Sequence, residues 1–176
     1  ISKLNLQRNE IILDIGCGDG KLTAALANYV TNGEVIGIDS SNEMIQLATK
    51  RYSPPLYPNL SFRLMDAKEL QCDIPVDVVF SNAVFHWIDD HLSVLNKIFR
   101  ILKPGGRVLL QMGGKGNALE VLNIISELMN HSQWKQYFKN FEFNYSFYGP
   151  GQYNSWIRDV GFMKSRVELI PKDMIF

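Results

Sequence analysis

The segment Asp14-Ile15-Gly16-Cys17-Gly18-Asp19-Gly20 constrains this 176-residue chain more than any other. It closes the apolar run Ile11-Ile12-Leu13 and opens onto Lys21 to Val30, which has the apolar spacing of a helix. A continuous apolar run ended by glycines fits a parallel strand buried on both faces. Glycine allows the turn and the close backbone approach that a side chain would obstruct. Strand, loop and helix therefore follow in that order. In the dinucleotide-binding fingerprint G-x-G-x-x-G the third glycine would stand at position 21, which here is Lys21. The spacing is G-x-G-x-G instead, with an acid two residues ahead of the first glycine.

The same alternation continues along the chain. Glu34 to Asp39 reads as a second strand, and Ser40 or Ser41 can cap a helix running through Met44, Ile45, Leu47 and Ala48. Ser53-Pro54-Pro55 and Pro58 break the chain before a third strand, Leu60 to Leu64, which leads to Met65-Asp66-Ala67. Val76 to Ser81 is a fourth strand, and Asp89 to Leu102 carries apolar residues at helical spacing until Lys103-Pro104-Gly105-Gly106 stops it. Arg107 to Met112 reads as a fifth strand, Ala118 to Met129 and Gln152 to Val160 as helices, and Ser165 to Ile170 as a last strand. Strands alternating with helices predict an α/β fold with a doubly wound, mostly parallel sheet. A chain of this length supports one domain, residues 1–176. Within it, residues 113–150 are a candidate helical lid or substrate-side insertion. The start at Ile1 rather than Met, and the apolar close Met174-Ile175-Phe176, predict a fragment trimmed at both ends.

Charge narrows the partners. Eighteen basic and eighteen acidic residues give a formal net charge of zero, without the basic footprint that nucleic acid or an anionic membrane requires. A small-molecule substrate is expected, and oligomeric state is not readable. Cys17 and Cys72 are not in a metal-ligand spacing, so no metal site is expected and a reducing, cytoplasmic setting fits. No stretch has the length and hydropathy of a membrane span.

Asp39 ends its strand about 20 residues past the loop, where a carboxylate can accept hydrogen bonds from ribose hydroxyls. The plainer reading is a cap for the next helix. With Asp66-Ala67 after the third strand and Asn82-Ala83 after the fourth, every such segment falls at a carboxyl-terminal strand end, where open α/β sheets bind ligands.

The D-x-G-x-G-x-G pattern, these strand-end acids and Leu102-Lys103-Pro104-Gly105-Gly106 together resemble class I S-adenosylmethionine-dependent methyltransferases over Asp14 to Met112. The resemblance implies a Rossmann-like fold and S-adenosyl-L-methionine as cofactor, with S-adenosyl-L-homocysteine as product. It implies cofactor contacts from Asp14, Gly16, Cys17, Gly18, Gly20, Asp39, Ser40, Met44, Asp66, Ala67, Asn82 and Ala83. Asp14 would help hold the cofactor's ammonium group, Asp39 the ribose and Asp66 the adenine. Asp19 departs from the family's usual small or uncharged residue.

A narrower resemblance, to trans-aconitate methyltransferases and their relatives, rests on Ser81 to His91 with its W-x-x-D-H pattern. Gly149-Pro150, Tyr153, Trp156, Gly161-Phe162 and Leu169 to Phe176 agree with it. It implies methyl transfer to a small carboxylate, which is ionised at neutral pH and needs no general base.

His86 and Trp87 are candidates for the acceptor site, with a hydrogen-bonding, partly buried histidine as the plainer reading of His86. His91 is expected to be solvated at a helix start, and Cys17 to be a loop spacer rather than a nucleophile. The aromatic stretch Trp134 to Tyr148 reads as packing before it reads as a substrate lid. Three rival functions share parts of this pattern. A nucleic-acid or protein amide methyltransferase calls for N/D-P-P-Y/F where this chain has Asn82-Ala83-Val84-Phe85. A nicotinamide-dependent dehydrogenase is disfavoured by Lys21. A cofactor-binding module without catalysis keeps the same motifs.

Overall fold

A computed structural model describes residues 1–172 of the chain, and the closing Met174-Ile175-Phe176 lies outside the described residues. One sheet holds β1 (Ile11–Ile15), β2 (Glu34–Asp39), β3 (Leu60–Leu64), β4 (Val76–Asn82) and β5 (Leu102–Gln111). Their order is β3-β2-β1-β4-β5, and every pairing is parallel. The helices are α1 (Lys21–Tyr29), α2 (Asn42–Arg51), α3 (His91–Ile101), α4 (Leu119–Asn130) and α5 (Pro150–Val160). The doubly wound sheet predicted by the alternation is present. Because the chain steps outward from β1 to β3 and then returns to β4 on β1's other side, a crevice opens between the carboxyl ends of β1 and β4.

Strand residues alternate between two cores. Ile12, Val35, Val78 and Phe80 pack with Ala24, Leu26, Ala27 and Val30 from α1 and its end. Leu13, Ile15, Ile36, Ile38 and Val79 pack on the opposite face with Val94 and Ile98 of α3 and with Phe85 and Ile88. Side chains such as Ile12 and Leu26 are fully buried, each worth about 1.5–3 kcal/mol of transfer free energy. The expected Ser41 cap is made, its Oγ accepting from the Met44 N–H at 3.2 Å. Asp90 caps α3 by accepting from the Ser93 N–H at 2.9 Å, which starts that helix at His91 rather than Asp89.

Ion pairs lock the amino-terminal edge of the sheet. Arg107 on β5 grips Glu10 with both terminal nitrogens, at 2.6 and 2.9 Å, and its Nε donates to the Leu4 carbonyl. Lys103 pairs at 2.7 Å with Asp77, which also accepts from the Ile11 N–H.

Two element assignments change. The Lys103-Pro104-Gly105-Gly106 stop is taken into β5, whose pairing with β4 shifts between Val76 and Val78. A left-handed Gly105, φ 80°, absorbs the irregularity. Ser165 to Ile170 forms no strand, because it finds no ladder partner. It lies instead with Leu169 over Gly114 and Glu168 paired to Lys3. Among the described residues no helix is long and apolar enough to cross a membrane.

Candidate functional site

The glycine loop connects β1 to α1 at the crevice, and its glycines have different reasons for being there. Gly16, Gly18 and Gly20 all have left-handed backbones, at φ 72°, 53° and 81°. A Cβ on Gly16 would lie 2.1 Å from Val84, and one on Gly20 would lie 2.7 Å from Phe62. Those two are fixed by packing. Above Gly18 nothing stands within 4 Å, so it is the place where the backbone lies open to a ligand.

The loop's amides are largely committed within the protein. Gly16 and Cys17 both donate to the Ile38 carbonyl, Gly20 to the Cys17 carbonyl, Gly18 to Asp39 Oδ2 and Lys21 to Asp19 Oδ1. A pyrophosphate-binding turn must leave such N–H groups free to meet an anion. Here those of Gly16, Cys17, Gly18, Gly20 and Lys21 are spent, and two of the acceptors are carboxylates.

Asp39 ends β2 and bridges the loop to α2, since its other oxygen accepts from the Ser41 N–H at 2.9 Å. Each carboxylate oxygen has two acceptor sites, so capacity remains on both. Ser41, not Asp39, is the N-cap of α2, and Asp39 holds the cap residue's N–H while keeping acceptor capacity for a ligand. Asp66 follows β3, and its Oδ1 accepts from the Lys68 N–H at 2.8 Å in a short 3-10 turn, Ala67–Glu69. The Met65 N–H donates to the Asp39 carbonyl, which holds these strand ends side by side. Met44, 40% exposed on the first turn of α2, offers an apolar side chain there.

Asp14 lies beneath the loop rather than in it, 2% exposed, accepting at 2.7 Å from the Thr23 hydroxyl of α1. Burial, aided by the charge of Asp39, pushes its carboxyl up to about 7. Asp19 is turned outward into an ion pair with Arg51. Cys17 is buried against Gly37, and burial raises its thiol far above the range of a nucleophile, as expected of a spacer.

The segment leaving β4 forms the other flank. Ala83 has a left-handed φ of 60° and donates to the Gln111 carbonyl at 2.7 Å, which swings Val84 onto Gly16. A short 3-10 turn, Phe85–Trp87, then brings up His86 and Trp87. His86 Nδ1 accepts from the Gly113 N–H at 3.3 Å, and its carbonyl accepts from the Ser146 N–H at 2.9 Å. Partial burial lowers the imidazole's proton affinity, so the neutral ring with hydrogen on Nε2 is favoured. Trp87 is 61% exposed and meets the Tyr145 ring at 4.8 Å.

His91 corrects the expectation of a solvated residue. It is 1% exposed, with Nδ1 bonded to the Tyr153 hydroxyl and rings of Phe85, Tyr148 and Trp156 around it. The cage depends on α5 packing against α3, a long-range contact invisible in local sequence. Tyr145 and Phe147 are the residues that sequence reasoning left in undifferentiated packing. Their signal was the alternation Phe143, Tyr145, Phe147, which places three rings on one side of an extended segment.

A family model described as a methyltransferase domain matches residues 6–148. The chain belongs to the methyltransferase domain family. Trans-aconitate 2-methyltransferase of Methylobacterium radiotolerans is 35% identical over 112 residues, covering 64% of this chain and 41% of that protein. Malonyl-[acyl-carrier protein] O-methyltransferase 1 of Ilyobacter polytropus is 28% identical over 127 residues, covering 72% and 47%. A solved phosphoethanolamine N-methyltransferase 2 from Haemonchus contortus, in complex with phosphomonomethylethanolamine and S-adenosylhomocysteine, matches with a TM-score of 0.71 and 25% identity. It covers 92% of this methyltransferase domain and 35% of that chain. The first curated relatives are matched over 41% to 61% of their length.

Proposed function

We propose that this methyltransferase domain binds S-adenosylmethionine and transfers its methyl group to a small carboxylate, forming a methyl ester. The observation that carries the cofactor reading is the row of acids along the carboxyl edge. Among the described residues, Asp14, Asp39 and Asp66 enter no salt bridge, beside a loop whose amides are engaged. Such a surface suits a cationic ligand with hydroxyls and repels a pyrophosphate.

In this reading Gly18 gives the backbone approach, with Gly16, Cys17 and Gly20 shaping the loop. Asp39 accepts from the ribose hydroxyls and Asp66 from the adenine amino group, flanked by Ser40, Met44 and Ala67. Asp14 draws the ligand's ammonium group from below, and Asn82 and Ala83 form the floor. When bound, S-adenosylmethionine supplies a methyl group on a positively charged sulfur and leaves as S-adenosylhomocysteine. The protein's own work is position and electrostatics.

The carboxylate reading is supported by the relatives named for trans-aconitate and for malonyl-[acyl-carrier protein] O-methylation. It also agrees with His86, whose Nδ1 is occupied by Gly113 and whose Nε2–H can donate but cannot take a proton. An ionised carboxylate needs no base. Residues 113–150, which contain α4 and the stretch returning past His86, are the substrate-side part of the chain.

The test is to incubate the full-length protein with cofactor labelled in the methyl group and a panel of small acids. Base-labile label on an acid is the expected result. Cofactor binding without any labelled product would reduce the protein to a binding module.

A further inference from the structure

Three features outside the cofactor cradle are large enough to carry function. They are the unpacked apolar side of α4, the buried His91–Tyr153 pair and the aromatic segment that returns past His86. Only the last is tied on both sides to the proposed reaction site. Phe143, Tyr145 and Phe147 form a ladder, their successive rings 6.2 and 5.3 Å apart and nearly parallel at 19° and 11°. Tyr145 is 38% exposed, and its ring also meets Trp87, while Phe147 and Tyr145 both face the His86 imidazole at 6.1 and 6.4 Å.

Backbone bonds fix the carboxyl-terminal half of the segment. Between Tyr145 and Phe147, the Ser146 N–H donates to the His86 carbonyl, and just beyond them the Lys115 N–H donates to the Tyr148 carbonyl. The Tyr148 hydroxyl donates to the Asp89 carbonyl at 3.1 Å. The ladder is therefore fastened to the exits of both β4 and β5. The acids belong to β1, β2 and the exit of β3, the other half of the sheet.

The chemistry of this wall is specific. Its rings offer flat apolar faces, and its donors are all neutral: the His86 Nε2–H, the Trp87 indole N–H and the Tyr145 hydroxyl. Among the described residues no lysine or arginine side chain bonds to any of these groups, and Lys68, the cation placed near Asp89, is paired with it at 3.5 Å. A polycarboxylate would bring charges that this wall leaves unmatched. One carboxylate on a flat apolar body meets neutral donors and ring faces and brings no second charge.

Resting on the methyltransferase reading, we propose that Phe143, Tyr145, Phe147 and Trp87 form an acceptor subsite for a monocarboxylic acid with a planar, apolar body, its carboxylate received by the His86 Nε2–H. Ring faces hold the body by stacking and burial, and the imidazole orients the oxygen that takes the methyl group. In the transfer, one carboxylate oxygen forms the new bond to the methyl carbon, the sulfur–carbon bond breaks, and its electron pair stays on sulfur. No proton moves.

The test titrates the full-length protein, saturated with S-adenosylhomocysteine, with cinnamate and separately with tricarballylate, by calorimetry and by tryptophan fluorescence. Cinnamate binds about tenfold or more tighter than tricarballylate and quenches Trp87 emission, an effect lost in Trp87→Phe. Tyr145→Ala weakens cinnamate about five- to tenfold and leaves S-adenosylhomocysteine affinity unchanged, while Tyr145→Phe retains cinnamate binding. Tricarballylate binding as tightly as cinnamate, or indifference of cinnamate to Tyr145→Ala, overturns the proposal while the methyltransferase reading stands. Failure of the wild-type protein to bind S-adenosylhomocysteine overturns both.

Discussion

The two ends of the same parallel sheet handle charge in opposite ways. At the amino-terminal edge, Glu10 and Asp77 are matched by Arg107 and Lys103, and each acid also accepts a backbone N–H. Burial alone would raise both carboxyls, yet hydrogen bonds from Arg107 and the Gln7 N–H to Glu10, and from the Ile11 N–H and Lys103 to Asp77, hold them below the usual range. At the carboxyl-terminal edge, Asp14, Asp39 and Asp66 lean on a hydroxyl and on backbone amides instead. There burial, with the charge of Asp39 behind it, outweighs the Thr23 hydrogen bond, and Asp14 is driven up. One edge pairs its acids with cations, and the other holds three acids that enter no salt bridge among the described residues. Under the proposed function, this asymmetry separates residues that hold the fold from residues that bind.

Arg107→Ala is the harshest test of that division. It strands a mostly buried Glu10 and removes bonds to the Leu4 and Asn5 carbonyls, at an expected cost of about 2–4 kcal/mol in chemical denaturation. S-adenosylhomocysteine affinity should not change under native conditions, and a parallel loss of affinity would break the comparison. Asp14→Asn works in the opposite direction. A carboxyl whose folded pKa is raised stabilises the fold only while protonated, and stability falls as pH rises from about 4 through about 7. The asparagine variant should therefore unfold about 1–3 kcal/mol less readily at pH 8 and lose that part of the pH dependence. It should bind the cationic cofactor more weakly all the same. Asp39→Ala should weaken S-adenosylhomocysteine binding by about 1–3 kcal/mol, because charge-assisted hydrogen bonds to the ligand are lost. The smallest effect is expected at Ala83, whose left-handed backbone is strained for an alanine. Ala83→Gly should raise the melting temperature slightly, by about 0.5–1 kcal/mol in stability.

Much of this division could be read from the chain alone, because it is encoded locally. Apolar strand runs, the glycine spacing and the strand-end acids are short patterns, and strands alternating with helices imply a parallel, doubly wound sheet. What local pattern could not supply was partnership. His91 reads as solvated because its burial is made by Tyr153 and Trp156, some 60 residues downstream on α5. Ser165 to Ile170 has a strand's composition but no neighbour to pair with. Asp14 reads as a strand-end acid, while its bond to Thr23 of α1 and its burial beneath the loop come from the tertiary fold. The aromatic ladder was visible as composition, while its attachment to His86 depends on a single amide, that of Ser146.

The most direct measurement is calorimetric titration of the full-length protein with S-adenosylhomocysteine and, in parallel, with NADH. The acidic carboxyl edge predicts saturable binding of S-adenosylhomocysteine and none of NADH, whose pyrophosphate would face the Asp39 carboxylate and a loop with its amides engaged. Binding of NADH with no response to S-adenosylhomocysteine would contradict the account.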